Sequence, residues 1–384
     1  MTYAEASTMD VYMRAHLVLG SNNPYFAYSF GMADDNESSS SFPIGETAQE
    51  KGLSYVPKCY MMPPSQRPSL KSEFANVPMV DLAGMNDDNP LQRSIIIQDI
   101  ANACRRNGFF HVINHGISQA ILDGALSAAF GFFDLATEDK EKIMSNDVYK
   151  PVRYGTSLKD GEDKVQFWRV FLKHYANPLI DWIKLWPENP PDYREKMGKY
   201  TEEVQKLAIK IMGIITEGLG LGPTYLSQNF QDGVNVIAVN CYPPCPQPGL
   251  ALGLPPHSDY SILTIVLQSS AGLEILDIQN NEWRAVQDLQ GTLQVHVGDH
   301  LEVLSNGLYK SVVHRVTLNS QKTRISVSSL HSLGMDEKME TAKELEDEEY
   351  PKRYKESSFS DFLKFLHEND IGQGSSFLMT LKNN

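Results

Sequence analysis

From Asn235 onward the chain is written as short β-rich runs: NVIAVNCY, ILTIVLQ, GLEIL, WRAV, LQVHVG, LEVLS, SVVHRVTL and RISVSSL, separated by Gly, Pro and Asn. β-branched and large apolar residues suit a pleated, half-buried surface, and the punctuating residues break it into short lengths. Eight such runs at close spacing, with no helical period between them, predict a sandwich or jelly roll.

The rest of the chain reads mainly as helices around that core. VPMVDL at residues 77–82 is a short strand candidate. Residues 91–107 place Ile96, Ile97, Ile100, Ala101 and Cys104 on one helical face, with Gly108 as the stop. FFHVIN reads as a strand ending at the turn His115-Gly116, and Ser118 can cap the helix whose stripe is Ile121, Leu122, Ala125, Ala129, Phe132 and Phe133. Residues 193–219 carry Met197, Tyr200, Val204, Leu207, Ile211, Ile214, Ile215 and Leu219 at helical spacing, closed by Gly220, and should cover the outside of a sheet. FSDFLKFLHEN reads as a final helix with Ser360 as its cap. The expected class is α+β, a jelly-roll core flanked by helices. Its parts are a mobile N-terminal extension (1–50), a mainly helical region packed on the barrel (51–230), the core (231–335) and a C-terminal helical segment (336–384), integrated into one unit.

The chemistry-bearing residues fall inside the β-rich part. His257 and Asp259 stand two apart in PPHSDYSILTIVLQ, His314 follows in YKSVVHRVTL, and Arg324 and Ser326 stand two apart in KTRISVSSL. Along a strand, residues two apart share a face, so each pair can converge on one small object. Two imidazoles and one carboxylate on one side of a metal leave three octahedral positions open, the facial arrangement of non-haem Fe(II) oxygenases. An arginine in an otherwise apolar strand needs an anion, and a guanidinium is the natural bidentate partner of a carboxylate. His296 and His300 in LQVHVGDHLEV are rival metal histidines, for which turn and lining roles are the ordinary explanation. His111 and His115 read as packing or turn residues.

Composition narrows the partners. A net charge of -14 argues against a nucleic-acid or anionic-membrane surface, so a small anionic ligand must be caught by a local arginine. No apolar run approaches the ~20 residues of a membrane span. The N-terminus lacks the cationic start and small-residue cleavage site of a secretory signal, and its acidic ADDNE is wrong for a transit peptide, which leaves the cytoplasm as the default. Four cysteines are too few for a disulfide framework, and Cys241 and Cys245, set among prolines in NCYPPCPQP, read as structural thiols.

The blocks VPMVDLAG, ACRRNGFFHVINHGI, NCYPPCPQP, PPHSDYSILTIVLQ, GLEIL, VGDHLEVLSNGLYKSVVHRV and TRISVSS, over roughly residues 77–330, resemble the plant-type 2-oxoglutarate- and Fe(II)-dependent dioxygenases. Within that family KPVRYGTS, WRVFLKHYANPL and SLHSLG look closest to flavanone-hydroxylase-like and downy-mildew-resistance-like oxygenases. The resemblance implies a double-stranded β-helix with His257, Asp259 and His314 as iron ligands. Arg324 and Ser326 would hold the distal carboxylate of 2-oxoglutarate, with Tyr242 and Asn240 as further contacts. It also implies O2 as oxidant, ascorbate as reductant and a small, aromatic plant metabolite of flavonoid or phenolic type as substrate; a monomer is the expected state. His296 stands where the family usually carries asparagine. With His331, and with Tyr154 and Phe167 from the aromatic-rich residues 145–190, it is expected to line the substrate pocket. Three alternatives stay open: desaturation, ring closure or demethylation of an alkaloid or terpenoid with the same cofactors, an ascorbate-dependent oxidase resembling the ethylene-forming enzyme, which shares the arginine-x-serine motif and which succinate production would exclude, and a ligand-binding barrel without turnover.

Overall fold

The computed structural model describes residues 47–49, 51–86, 89–156, 165–277, 279–369 and 376–383. Of the expected N-terminal extension, residues 1–46 and 50 lie outside the described residues, while Thr47 and Ala48 are buried.

Twelve strands form among the described residues: β1 Met79–Asp81, β2 Phe109–Ile113, β3 Val152–Gly155, β4 Val170–Tyr175, β5 Asn235–Tyr242, β6 Leu254–His257, β7 Leu263–Gln268, β8 Leu273–Asp277, β9 Glu282–Ala285, β10 Leu293–Val297, β11 His314–Val316 and β12 Arg324–His331. They make an eight-stranded sheet in the order β1-β2-β10-β7-β12-β5-β4-β3 and a four-stranded sheet in the order β6-β11-β8-β9. Every pairing is antiparallel except β1 with β2. The chain passes between the sheets within the β-rich segment at every step from β5 to β12 except β8 to β9, which is the jelly-roll habit.

The helices are α1 Pro90–Arg106, α2 Gln119–Phe133, α3 Thr137–Glu141, α4 Leu179–Trp182, α5 Tyr193–Gly218, α6 Ser227–Gln231, α7 Asp299–Leu304, α8 Phe359–Glu368 and α9 Phe377–Leu381. α1 starts where Asn89 accepts from the Leu91 amide at 3.1 Å with Pro90 at the first position, and it stops before Gly108, whose φ is 61°. Gly108 is also demanded by packing, since a Cβ there would sit 1.9 Å from the Lys310 carbonyl oxygen. α5 buries Met197, Tyr200, Val204, Leu207, Ile211 and Ile215 and leaves its Glu195–Lys199 pair outside at 2.7 Å. That buried stripe packs on α1, α2, β7 and β12, so the outer face of the large sheet is covered. Along β12, Ile325 and Val327 point into this helix-facing core while Arg324 and Ser326 point the other way.

Four local expectations differ from the structure. LEVLS falls in helix α7, whose six residues are all buried, and a uniformly buried run carries no period to distinguish helix from strand. The aromatic stretch 145–190 holds β3 and β4, which extend the large sheet to its edge. The helix α8 is capped by Ser358 rather than Ser360: the Ser358 hydroxyl accepts from the Asp361 amide, and the Asp361 carboxylate accepts from the Ser358 amide. Ser118 occupies the N-cap of α2 without a side-chain capping bond.

Candidate active site

Strands β6 and β11 pair so that His257 and His314 lie directly opposite one another, their rings 4.2 Å apart between centroids. Asp259 lies two residues beyond the end of β6, in the turn leading to β7. It therefore reaches the histidines through that turn and not by strand alternation, as the sequence spacing had suggested. Its Oδ1 is 3.9 Å from Nε2 of both His257 and His314, and one donor atom from each of the three residues lies within 4.8 Å of the others. Among the described residues this is the one cluster of His, Cys, Asp or Glu with such spacing.

The backbone fixes how those imidazoles face. His257 Nδ1 lies 2.8 Å from the Pro255 carbonyl oxygen and His314 Nδ1 lies 3.1 Å from that of Val312. A carbonyl only accepts, so each Nδ1 carries the proton and each Nε2 is left as a bare lone pair toward the centre. Burial pushes the pKa of His257 down and, with the neighbouring His257, that of His314 down to about 3, so both rings are neutral at pH 7. Asp259 titrates together with these rings: burial opposes its charge, whereas any positive charge on the imidazoles, His314 foremost, favours it, so its carboxyl lies below the usual carboxylate range and is ionised at pH 7. Two neutral imidazole nitrogens and one ionised oxygen are the donor set Fe(II) takes in a facial site.

On the opposite sheet, β12 pairs with β5 in the register Arg324 to Tyr242 and Ser326 to Asn240. Arg324 is 2% exposed, and its guanidinium is aimed by two contacts: Nε donates to the Ser270 carbonyl at 3.0 Å and Nη2 to Gln268 Oε1 at 2.9 Å. Its carbon stands 5.0 Å over the Tyr242 ring. Nη1 is buried without a partner, and among the described residues no Asp or Glu forms an ion pair with Arg324. Burial accordingly pushes its pKa down. A buried guanidinium with an open donor and no carboxylate in ion-pair contact, Asp288 acting on it only at a distance, fits an anionic ligand from outside.

Both groups line one cavity of about 220 Å³. Tyr242, Asn240, Ser326 and His296 line it too, although Asn240 Oδ1 is engaged by Arg169 Nη1 at 2.8 Å. Three residues expected in the pocket are absent from its described lining. Tyr154 packs against Phe132 of α2, with ring centroids 6.0 Å apart, on the helix side of the sheet. His331, an odd-numbered residue of β12, also faces the helices: it stacks on Phe230 and meets Ser329 Oγ at 2.9 Å. Phe167 belongs to a small cluster with Met62 and Leu252. His300 is bonded to Ser357 Oγ at 3.0 Å, away from the three donors.

The sequence reading missed the walls of the cavity. Arg153 of β3, Arg169 and Lys173 line one side, and Phe359, Phe362, Leu363 and Leu366 of α8 line another. The period-two spacing of Arg169, Phe171 and Lys173 was present in WRVFLKHY, hidden by the density of aromatics. The α8 contribution had no local signal, because that helix returns to the site from more than a hundred residues downstream of β5.

Two interdigitated sheets, a three-donor cluster on one and a buried arginine on the other define the class, and the sequence comparisons agree: residues 233–332 match the 2OG-Fe(II) oxygenase superfamily and residues 77–189 match the non-haem dioxygenase N-terminal family of morphine synthesis. The chain belongs to the 2OG-Fe(II) oxygenases and is a 2-oxoglutarate-dependent dioxygenase. It is 49% identical to flavanone 3-dioxygenase 3 of Oryza sativa subsp. japonica, over 84% of this chain and 98% of that protein. It is 49% identical to the rice 2-oxoglutarate-dependent dioxygenase 21, chloroplastic, over 80% and 89%, and 37% identical to Protein DOWNY MILDEW RESISTANCE 6 of Arabidopsis thaliana, over 83% and 93%. Among solved structures it resembles JOX2 in complex with 2OG, Fe and JA, with a TM-score of 0.73 at 32% identity, covering 82% of this chain and 90% of that one.

Proposed function

We propose that the protein hydroxylates a small phenolic or aromatic-acid metabolite, with His257, Asp259 and His314 holding Fe(II) and with Arg324, Ser326 and Tyr242 holding the far carboxylate of 2-oxoglutarate. The observation that carries this is the convergence, on one cavity, of the three free donor atoms and the open Nη1 of Arg324. When bound, iron and 2-oxoglutarate supply the activation of O2, so that substrate, 2-oxoglutarate and O2 yield hydroxylated substrate, succinate and CO2. The chain itself keeps both imidazoles neutral by burial, turns their bare Nε2 atoms inward through the carbonyl contacts at Nδ1, keeps Asp259 ionised, orients the co-substrate through the Arg324 fork and excludes water with the apolar wall of α8.

The wall formed by β3 and β4 supports an acidic or phenolic substrate over a wholly neutral one. Arg153, Arg169 and Lys173 join Arg324 in the lining, against Asp259 as the one acid among its described residues. The relatives support the same reading: one is named a flavanone 3-dioxygenase, and the JOX2 structure holds JA together with 2OG and Fe. Asn240 serves in this reading by fixing Arg169. Ascorbate is the external reductant, the enzyme acts as a monomer, and its compartment is the cytoplasm; a fluorescent fusion found in chloroplasts would overturn the last point. No described helix is long and apolar enough to cross a membrane.

The test is succinate release under air across a panel of phenolic acids, flavonoids, alkaloids and terpenoid acids, with Asp259→Ala beside the wild type. Substrate-dependent succinate in the wild type and its loss in the variant are expected. Equal release from both proteins would remove the ligand assignment.

A further inference from the structure

His296 is the one histidine at this site whose role the ligand set does not explain. It sits on β10 opposite Thr264 of β7, is 1% exposed, and neither ring nitrogen has a hydrogen-bond partner within standard geometry. A buried imidazole with two idle polar atoms is costly unless it faces a ligand or a charge. Its ring is fixed by apolar and aromatic contacts, 4.7 Å from Phe109 and 4.9 Å, edge-on, from His314. So held, it brings Nδ1 to 3.5 Å from Asp259 Oδ2.

The two oxygens of Asp259 therefore have different neighbours. Oδ1 faces the bare Nε2 atoms of His257 and His314, 3.9 Å from each, whereas Oδ2 faces His296. Among the described residues no backbone amide or other side chain donates to Oδ2. An ionised carboxylate only accepts, so the proton of His296 must be on Nδ1 for the contact to be attractive. The 3.5 Å separation is at the long edge of an N–H···O bond, and charge-assisted bonds of this type settle nearer 2.7–2.9 Å.

We propose that His296 is a positioning residue: its Nδ1–H donates to Asp259 Oδ2 and turns Oδ1 toward the two imidazoles, so that Asp259 offers the metal one oxygen. The inference rests on the reading of His257, Asp259 and His314 as the iron ligands, and it assigns to His296 a place behind that set. Outer partners of this kind, by fixing the orientation of a ligand, typically change metal affinity about 10–100-fold when removed.

The experiment measures Co(II) binding to the iron-free full-length protein by the visible absorption of the bound ion, without turnover. His296→Phe keeps a ring against Phe109 and removes both nitrogens; His296→Leu is the second form of the same loss should the first not fold, as judged by circular dichroism. His296→Asn restores an N–H donor. The loss variants should bind Co(II) about 10–100-fold more weakly than wild type, and His296→Asn should recover most of that affinity. Wild-type affinity in a folded loss variant would overturn the proposal, and so would an asparagine variant as weak as the phenylalanine one. Asp259→Ala separates the two levels: equal Co(II) binding by wild type and Asp259→Ala sinks the ligand reading itself. Loss in Asp259→Ala with none in His296→Phe sinks only the role of His296.

Discussion

Arg324 and Lys173 show how far a single side chain specifies the chemistry. The Arg324 fork is held in place by Ser270 and Gln268, so what it offers a ligand is a planar donor set of fixed direction. A lysine there retains the charge but is a flexible point donor that cannot hold both contacts and a carboxylate together. Arg324→Lys should raise the KM for 2-oxoglutarate by at least about 10-fold with a smaller change in kcat, read by co-substrate decarboxylation at varied 2-oxoglutarate. Lys173 lies beside Arg153 in register, donates to the Val148 carbonyl at 3.0 Å and has its pKa pushed down to about 7, by burial first and then by Arg153. An anion from the substrate would relieve that strain on its charge. Lys173→Met should therefore lower kcat/KM about 10-fold or more for an aromatic acid while leaving its methyl ester unchanged. Equal losses for acid and ester would show that Lys173 only supports the wall.

At the scale of elements, the site depends on how the turn after β6 is fastened. The amides at the start of α7 hold it: Asp299 N donates to the Asp259 carbonyl at 2.7 Å and His300 N to that of Ser261 at 3.3 Å, while Gly298 N donates to Ile262 O at 3.1 Å. Such close approach requires glycine, because a Cβ at position 298 would lie 1.9 Å from the Ser261 carbonyl oxygen. Since backbone stands on both sides of that contact, Gly298→Ala should destabilise the protein by about 1–3 kcal/mol in urea unfolding and weaken metal binding by moving Asp259. A variant as stable as wild type with unchanged Co(II) affinity would mean that the turn is free to yield. The other fastening is aromatic. Tyr260, next to Asp259, stacks on Phe359 and Phe362 at 4.7 and 4.0 Å between centroids, so the capped helix α8 rests on the same turn whose aspartate serves the site.

For the molecule as a whole, several histidines are folded in as neutral groups. Burial pushes His174 and His331 down to about 3, and each is bonded to a hydroxyl: His174 to Tyr193 at 2.9 Å and His331 to Ser329 at 2.9 Å. The unfolded chain takes up those protons below about pH 6.5 and the folded chain does not. Their stabilisation is thus complete above that pH and is lost as pH falls toward 3, at up to about 1.4 kcal/mol per pH unit for each group. Between pH 6.5 and 4 the melting temperature of the wild type should fall more steeply than that of His174→Gln, with no difference in slope between the two above pH 7; parallel slopes throughout would exclude His174 as a contributor. The sequence alone was enough for the class of fold and for the clustering of His257, Asp259 and His314 in the β-rich half, since a two-residue period, turn residues and donor types are all local properties of the chain. It also exposed Arg324 as a charge in need of an anion, since Ile325 and Val327 showed which face of β12 is apolar. What it could not contain is which face of which strand looks into the cavity. Tyr154 and His331 lie on strands that contribute to the cavity wall, but alternation sends their own side chains to the helix side, while Lys173, in a stretch that read as mere aromatic packing, turns inward. The α8 wall and the contact of His296 with Asp259 Oδ2 join segments far apart in the chain. Only the pairing of β10 with β7, and the return of α8 over Tyr260, decided them, because a side chain's direction is set by the register of its strand and the packing of distant elements.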